Sequence, residues 1–345
     1  MEKQFRIISD NRLVRNFDIR YLLVAIVIIL CGFFIRLDYY IVKPSRAVEL
    51  GDLITVEGKD PDDRGTFFLV TVSQQRAVPF TLIYALIHPN LDINPLSTVI
   101  PVDMEEEEYR LLQAEYMSES RLMAQVVALR RTGYEIKIAS EGVEVVGFLE
   151  NAPAEPYLEL GDKLIKIDGK QVFLASEVPL LVQDRQVGES VNVTLIRNGL
   201  PVELELATGE HPEDEELPFL GIHIKTLPWE AKIPLDIVMD TGRIGGPSAG
   251  MMFTLEIMNQ LLDEDLTAGR KIAGTGTIDF TENIGRIGGV TQKVVAAERA
   301  GAEYFLVPEA NYEAAQSAAR RINVVSVDNL EQALGFLETL EPRVQ

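Results

Sequence analysis

Ser248 lies in Gly246-Pro247-Ser248-Ala249-Gly250, and any chemistry it performs needs a neighbouring base, because a serine hydroxyl is a weak nucleophile until its proton is taken. The pentapeptide formally fits G-x-S-x-G, the strand-turn-helix elbow of α/β-hydrolases, whose acid and histidine follow the serine along the chain. The histidines here are His88, His211 and His223, all ahead of Ser248, so that order is excluded. The lysines after Ser248 are Lys271 and Lys293. Lys271 follows Gly269 and Arg270 at the expected exposed start of a strand, where an ammonium stays solvated and keeps its high pKa. Lys293 instead opens a helical run whose i+3, i+4 and i+7 neighbours are Ala296, Ala297 and Ala300, a face small enough for close packing. Burial there disfavours the ammonium, and a fall from roughly 10.4 towards ~7 to 8 is what a lysine base needs near neutrality. The plainer readings are a serine that caps the helix expected over 251–262 and a lysine that is a solvated helix residue.

The elements that must position this pair begin well upstream. Residues 104–132 read as one long amphipathic helix, preceded by a strand over 67–72. A strand-rich stretch runs from 143 to 208, with strands over 144–149 and 164–170, the latter entering the Asp168-Gly169 turn. Residues 176–185 read as a helix with Ser176 at its cap, and 191–197, Asn198-Gly199 and 201–206 as a hairpin around a primed turn. The acidic run His211-Pro212-Glu213-Asp214-Glu215-Glu216 reads as a solvated hinge.

The segment 244–308 resembles the proteolytic domain of Lon proteases, through Gly246-Pro247-Ser248-Ala249-Gly250, Gly274-Thr275-Gly276-Thr277-Ile278 and Ile287-Gly288-Gly289-Val290-Thr291-Gln292-Lys293-Val294-Val295-Ala296-Ala297. That resemblance implies Ser248 as nucleophile, Lys293 as general base and Thr275 as the hydroxyl that helps orient the lysine. Lon proteases usually carry an acidic residue just before the Gly-Pro-Ser, a position held here by Gly245. Nearly the whole chain resembles the membrane-anchored, PDZ-containing Lon-like proteases of bacteria. The strand-rich stretch is similar to a PDZ domain through Leu160-Gly161-Asp162-Lys163-Leu164-Ile165-Lys166-Ile167-Asp168-Gly169. This implies peptide capture by strand addition between a sheet edge and a helix, where Leu181 is the expected groove position. The Gly-Leu-Gly-Phe-like loop that would hold a terminal carboxylate is not found before Val143. The early strand and long helix also follow the order of Lon catalytic domains. The PDZ-like module therefore either interrupts a discontinuous catalytic domain or follows an independent membrane-proximal one.

Composition bounds the remainder. A chain of 345 residues with 47% hydrophobic content can form about two domains with real cores and needs no covalent staple. The single cysteine, Cys31, and the absence of a His-x-x-x-His pair argue against a disulfide framework or a metalloprotease, and no metal or other cofactor is expected. No G-x-x-x-x-G-K-[ST] phosphate loop occurs, so the chain is expected to act without ATP. Residues 21–35 are uncharged, and Tyr39, Tyr40, Ile41 and Val42 extend the apolar character. A retained transmembrane helix over 21–42 is therefore expected, a cleaved signal peptide being the competing reading. Lys3, Arg6, Arg12, Arg15 and Arg20 precede the span, which places the N-terminus in the cytoplasm and the rest outside it. A net charge of −21 makes nucleic acid a poor partner.

The expected organisation is an α+β chain: a cytoplasmic tail over 1–20, an anchor over 21–42, a membrane-proximal region over 43–132, a PDZ-like domain over 134–209 and a Lon-type catalytic domain over 210–345. Its expected partners are peptide or protein substrates and the cell membrane, with formation of a homo-oligomer left open. The expected activity is that of an ATP-independent serine endopeptidase. The competing class is an inactive scaffold that binds exported polypeptides.

Overall fold

Phe67-Phe68-Leu69-Val70 is apolar at every position, the pattern of a strand covered on both faces. The computed structural model describes residues 19–59, 65–100, 104–149, 152–175, 177–183, 185–211 and 214–343. In it these four residues sit in strand Thr66–Arg76, inside a six-stranded sheet ordered Asn323–Val327, Tyr304–Pro308, Lys271–Gly274, Thr66–Arg76, Tyr39–Glu49, Asp92–Pro95. Pairings among the first four are parallel, and the last two strands join antiparallel. Strands from before residue 96 and after residue 270 thus share one sheet, with the strand-rich module between them in sequence.

The described helices, in chain order, are α1 (Ile19–Phe34), α2 (Pro79–Ile87), the single turn α3 (Leu96–Val99), α4 (Glu106–Arg131), α5 (Glu177–Gln183), α6 (Gly250–Leu261), α7 (Val290–Ala300), α8 (Glu309–Ala318) and α9 (Leu330–Glu338). Alternate residues of the central strand serve different cores. Phe67 and Leu69 pack with α4, α6 and α9 on one face, and Phe68 and Val70 with α7 and α8 on the other. Helix α6 is buried from Gly250 to Gln260, and truncating its fully buried Phe253 to alanine would cost about 3 to 5 kcal/mol. Its polar residues are paired: Gln260 donates to the Ile54 carbonyl and accepts from the Val56 N–H.

The strand-rich module has its own sheet, with the path Leu200–Ala207, Ser190–Arg197, Lys163–Ile167, Val143–Phe148, Ile222–Thr226, and its own core around Val143, Leu164, Val191 and Leu206. The Asn198-Gly199 pair has positive φ at both residues, as does Asp168-Gly169, so both turns are of the primed kind. Helix α5 occupies 177–183; the expected cap Ser176 lies outside the described residues.

Two expected boundaries are corrected. The module's sheet does not end at 209, because Ile222–Thr226 returns to pair with Val143–Phe148 after the strands Gly209–His211 and Asp214–Phe219 have paired with each other. The acidic run dominates the local signal, while partnership with Val143–Phe148 is set by a contact far along the chain. The anchor expected over 21–42 also divides. Helix α1 ends at Phe34, and Tyr39 to Val42 open strand Tyr39–Glu49, where Ile41 and Val42 are buried. Their apolarity serves the main sheet. Among the described residues no helix is long and apolar enough to cross a membrane.

Candidate active site

The loop that carries Ser248 is shaped from outside by α4. Gly246 has φ of +87°, a conformation that disfavours any side chain, and its N–H donates to the Gln113 carbonyl at 2.8 Å. The Ser120 hydroxyl donates to the Pro247 carbonyl at 3.0 Å. Helix α6 then starts at Gly250 with Ala249 at its cap and no side-chain capping bond, so Ser248 is not the cap. From the other side, the Ser248 carbonyl accepts the Gly276 N–H and the Thr275 hydroxyl, each at 2.9 Å. The Met251 N–H answers to the Gly276 carbonyl at 3.1 Å.

This double support fixes where the serine hydroxyl points. The Lys293 Nζ lies 2.8 Å from Ser248 Oγ and 2.9 Å from Thr275 Oγ1. Thr275 follows the strand Lys271–Gly274, and Lys293 stands on the first turn of α7, so one strand end and one helix start deliver the two partners. Ala296 and Ala297 are buried on the same helix, and Lys293 itself is 3% exposed. Burial drives its pKa down to about 7, with no carboxylate hydrogen-bonded to the amine among the described residues. Lys271 is exposed at its strand start. No histidine among the described residues hydrogen-bonds Ser248, and no cluster of His, Cys, Asp and Glu there could hold a metal ion.

A cleft of about 550 Å³ opens between the serine loop and the module, walled by Ser120 and Met123 of α4, Val178 and Leu180 of α5, Leu220 just ahead of the module's edge strand and Ile222 at its start, and Pro247 and Ile278 on the side of the serine loop. A larger hollow, about 1230 Å³, lies between Glu49, Asp265 and Arg343; neither hollow is lined by Ser248, Thr275 or Lys293 themselves, but the smaller one reaches their chain neighbours Pro247 and Thr277. Leu181, the expected groove position, does not line the cleft: it is half-buried against the module's own core, one step around the helix from Leu180. The sequence Phe219-Leu220-Gly221-Ile222 lies on the cleft wall after the acidic run, and not ahead of Val143 where a Gly-Leu-Gly-Phe-like loop is expected. Its signal was the glycine between two aliphatic residues, followed by the alternation Ile222-His223-Ile224-Lys225.

The module is fastened to the cleft floor. The Phe280 ring meets Phe173 edge-on at 4.9 Å and Trp229 at 5.5 Å. At the start of α5, the Glu177 carboxylate accepts the N–H groups of Phe173 at 2.7 Å and Leu174 at 3.0 Å. Burial pushes its pKa up to about 7, with nearby Asp279 adding to the effect.

Residues 232–337 match the Lon protease (S16) C-terminal proteolytic domain. The chain is 34% identical over 93 residues to a Lon protease of Roseiflexus castenholzii, which is 26% of this chain and 11% of that protein. It is 32% identical over 75 residues to a probable periplasmic serine endoprotease, DegP-like, of Pseudomonas putida, covering 21% of this chain and 16% of the relative. Among solved structures, the PDZ domain of an SdrC-like protein from Listeria monocytogenes is similar at 21% identity and a TM-score of 0.24, covering 26% of this chain and 92% of that one. The chain therefore spans a small part of the length of the curated relatives it matches.

Proposed function

We propose that this protein is a serine endopeptidase in which Ser248 attacks the scissile carbonyl and Lys293 is the base. The observation that carries the reading is a desolvated amine 2.8 Å from the serine hydroxyl, with a pKa of about 7. In the neutral state the amine takes the Oγ proton as Oγ bonds to the carbonyl carbon; the resulting ammonium then protonates the leaving amine, and the acyl-enzyme is hydrolysed by a water that the neutral lysine activates. The Thr275 hydroxyl accepts from Nζ while donating to the Ser248 carbonyl, and so holds the lysine at the angle this transfer needs. Backbone N–H groups around Ser248, at the start of α6, are placed to receive the developing oxyanion.

The substrates in this reading are flexible peptides and exposed segments of exported proteins, cleaved without ATP. The module is PDZ-like in this reading, and its edge strand Ile222–Thr226 together with α5 offers a site for strand addition on a cleft that extends to Pro247, the residue before Ser248. The strands on either side of the module belong to one catalytic domain in this reading, supported by their common sheet. Helix α1 anchors the chain with the catalytic side outside the cytoplasm, supported by its uncharged run and the basic residues before it. The test is hydrolysis of an unfolded protein by the full-length chain in detergent, with and without ATP. Ser248→Ala and Lys293→Ala should each abolish it, and Thr275→Val should reduce it less. Near-normal turnover by either of the first two variants, with unchanged thermal unfolding, sinks the mechanism.

A further inference from the structure

Helix α2, Pro79-Phe80-Thr81-Leu82-Ile83-Tyr84-Ala85-Leu86-Ile87, is apolar all round but buries only one side. Ala85 and Leu82 pack with Ile41 and Ala77 against the main sheet. The opposite side, Phe80, Ile83, Tyr84, Leu86 and Ile87, is exposed, and Ile87 reaches 78%. Such a face on a surface helix needs a covering. Three features identify it. The helix is docked on α1: a Cβ added at Gly32 would fall 2.2 Å from the Phe80 ring, and Phe33 and Phe80 have ring centroids 4.8 Å apart. No Asp, Glu, Lys or Arg occurs from Ala77 to Leu91. At the foot of the pair, Arg76 is bonded to Asp38 and Glu106, both at 2.7 Å, and Arg36 lies 3.9 Å from Glu106, so charge is gathered into a collar where the apolar helices leave the sheet.

We propose that α2 is seated in the lipid interface beside α1, with the Arg36, Asp38, Arg76 and Glu106 collar at the headgroup level and Phe80, Ile83, Tyr84, Leu86 and Ile87 in the acyl boundary. This rests on the reading of α1 as an anchor. At about 1.5 Å per residue α2 is far too short to span, which leaves the interface plane as its place. It touches the C-terminal end of α1, the end next to the catalytic sheet, so the leaflet is the one facing that sheet. The occupant is lipid rather than a protein partner, because the exposed face continues an uncharged surface that α1 presents through Val27, Leu30, Phe33 and Phe34.

The test uses the full-length chain with Cys31→Ser, carrying one new cysteine at a time: Ile83→Cys or Ile87→Cys on α2, Val27→Cys on α1, and Lys170→Cys on the exposed short strand after the Asp168-Gly169 turn. Each is labelled with an environment-sensitive fluorophore and reconstituted into phosphatidylcholine and phosphatidylglycerol vesicles, and its thermal midpoint is checked against the parent. Labels at 83 and 87 should lose most of their emission to nitroxides placed shallowly in the lipid and little to aqueous iodide, with 170 showing the reverse. Iodide quenching at 83 and 87 while 27 responds to lipid nitroxide overturns the proposal and leaves the anchor standing. Iodide quenching at 27 as well removes the anchor reading beneath it. Disulfide formation between Ile87→Cys copies without lipid quenching would assign the face to self-association and equally overturn the lipid assignment.

Discussion

Lys293 and Glu177 are buried ionisable groups on opposite sides of the segment 275–280, brought to about 7 from opposite directions. Among the described residues the lysine amine is hydrogen-bonded by the hydroxyls of Ser248 and Thr275 and by no carboxylate, so the cost of an ammonium there is not offset by an opposite charge. The glutamate is met by backbone N–H donors that favour its charged form, and burial still wins. An amine with hydroxyl neighbours can exchange a proton with one of them. A carboxylate wrapped by amide donors instead ties α5 to Phe173 and Leu174 and so sets the position of the cleft wall. Equal pKa values thus suit the proposed base in one place and a fastening in the other, and the partners make the difference.

Kinetics should separate the two groups by the widest margin. Lys293→Met and Ser248→Ala should each lower kcat/KM by about 10⁴-fold or more, whereas Glu177→Gln should keep most of it. Since the neutral amine is the active form, the wild-type kcat/KM should fall about tenfold per pH unit below about 7. A profile flat from pH 5 to 8 removes Lys293 as the base.

Stability separates the two groups next, with opposite signs. The folded pKa of Lys293 lies below its unfolded value of roughly 10.4, so between about 7 and 10.4 the unfolded chain holds a proton that the folded chain does not, and stability rises with pH. Lys293→Met should therefore exceed the wild type by about 5 kcal/mol below pH 7, with the gap closing towards pH 10. For Glu177 the folded pKa is raised from 4.5 to about 7, so the folded chain holds the extra proton between those values and wild-type stability declines across that window. Glu177→Gln should gain on the wild type by about 3 kcal/mol between pH 4.5 and 7 and hold a constant difference above it. Urea unfolding followed by fluorescence of the single tryptophan, Trp229, which meets the Phe280 ring edge-on, reads both.

The smallest expected effect concerns the cleft. Pro179 is exposed on α5 and lines it, so Pro179→Asp should raise KM for protein substrates about tenfold while sparing short peptides. Equal losses for both substrates would show that the wall shapes the dyad rather than the binding of long chains.

What could be read from the residues alone follows the range of the interactions involved. The Asn198-Gly199 hairpin and helix α4 rest on turn chemistry and periodicity within a few residues, and they appear where expected. Ser248, Thr275 and Lys293 could be paired by resemblance, but the hydrogen bonds that aim them, from Gly246 to Gln113 and from Ser120 to Pro247, join α4 to a loop more than a hundred residues later. Nothing local at Gln113 announces that role. The apolar stretch at 39–42 illustrates the same limit, because membrane and sheet interior ask for the same side chains, and only the pairing with Thr66–Arg76 distinguishes them. Leu180 and Leu181 are neighbours in sequence, and a one-residue difference in helix phase decides which faces the cleft.

The shared sheet also orders events during synthesis. Thr66–Arg76 emerges early but acquires its parallel neighbour Lys271–Gly274 only after some two hundred further residues have been made, and Thr275 and Lys293 later still. Until then the first strands pair with one another and present an open edge, while the module, whose strands all fall between 143 and 226, can close on its own. The proposed catalytic group is therefore assembled last, after the nascent chain has left behind its own most cleavable, unfolded stage.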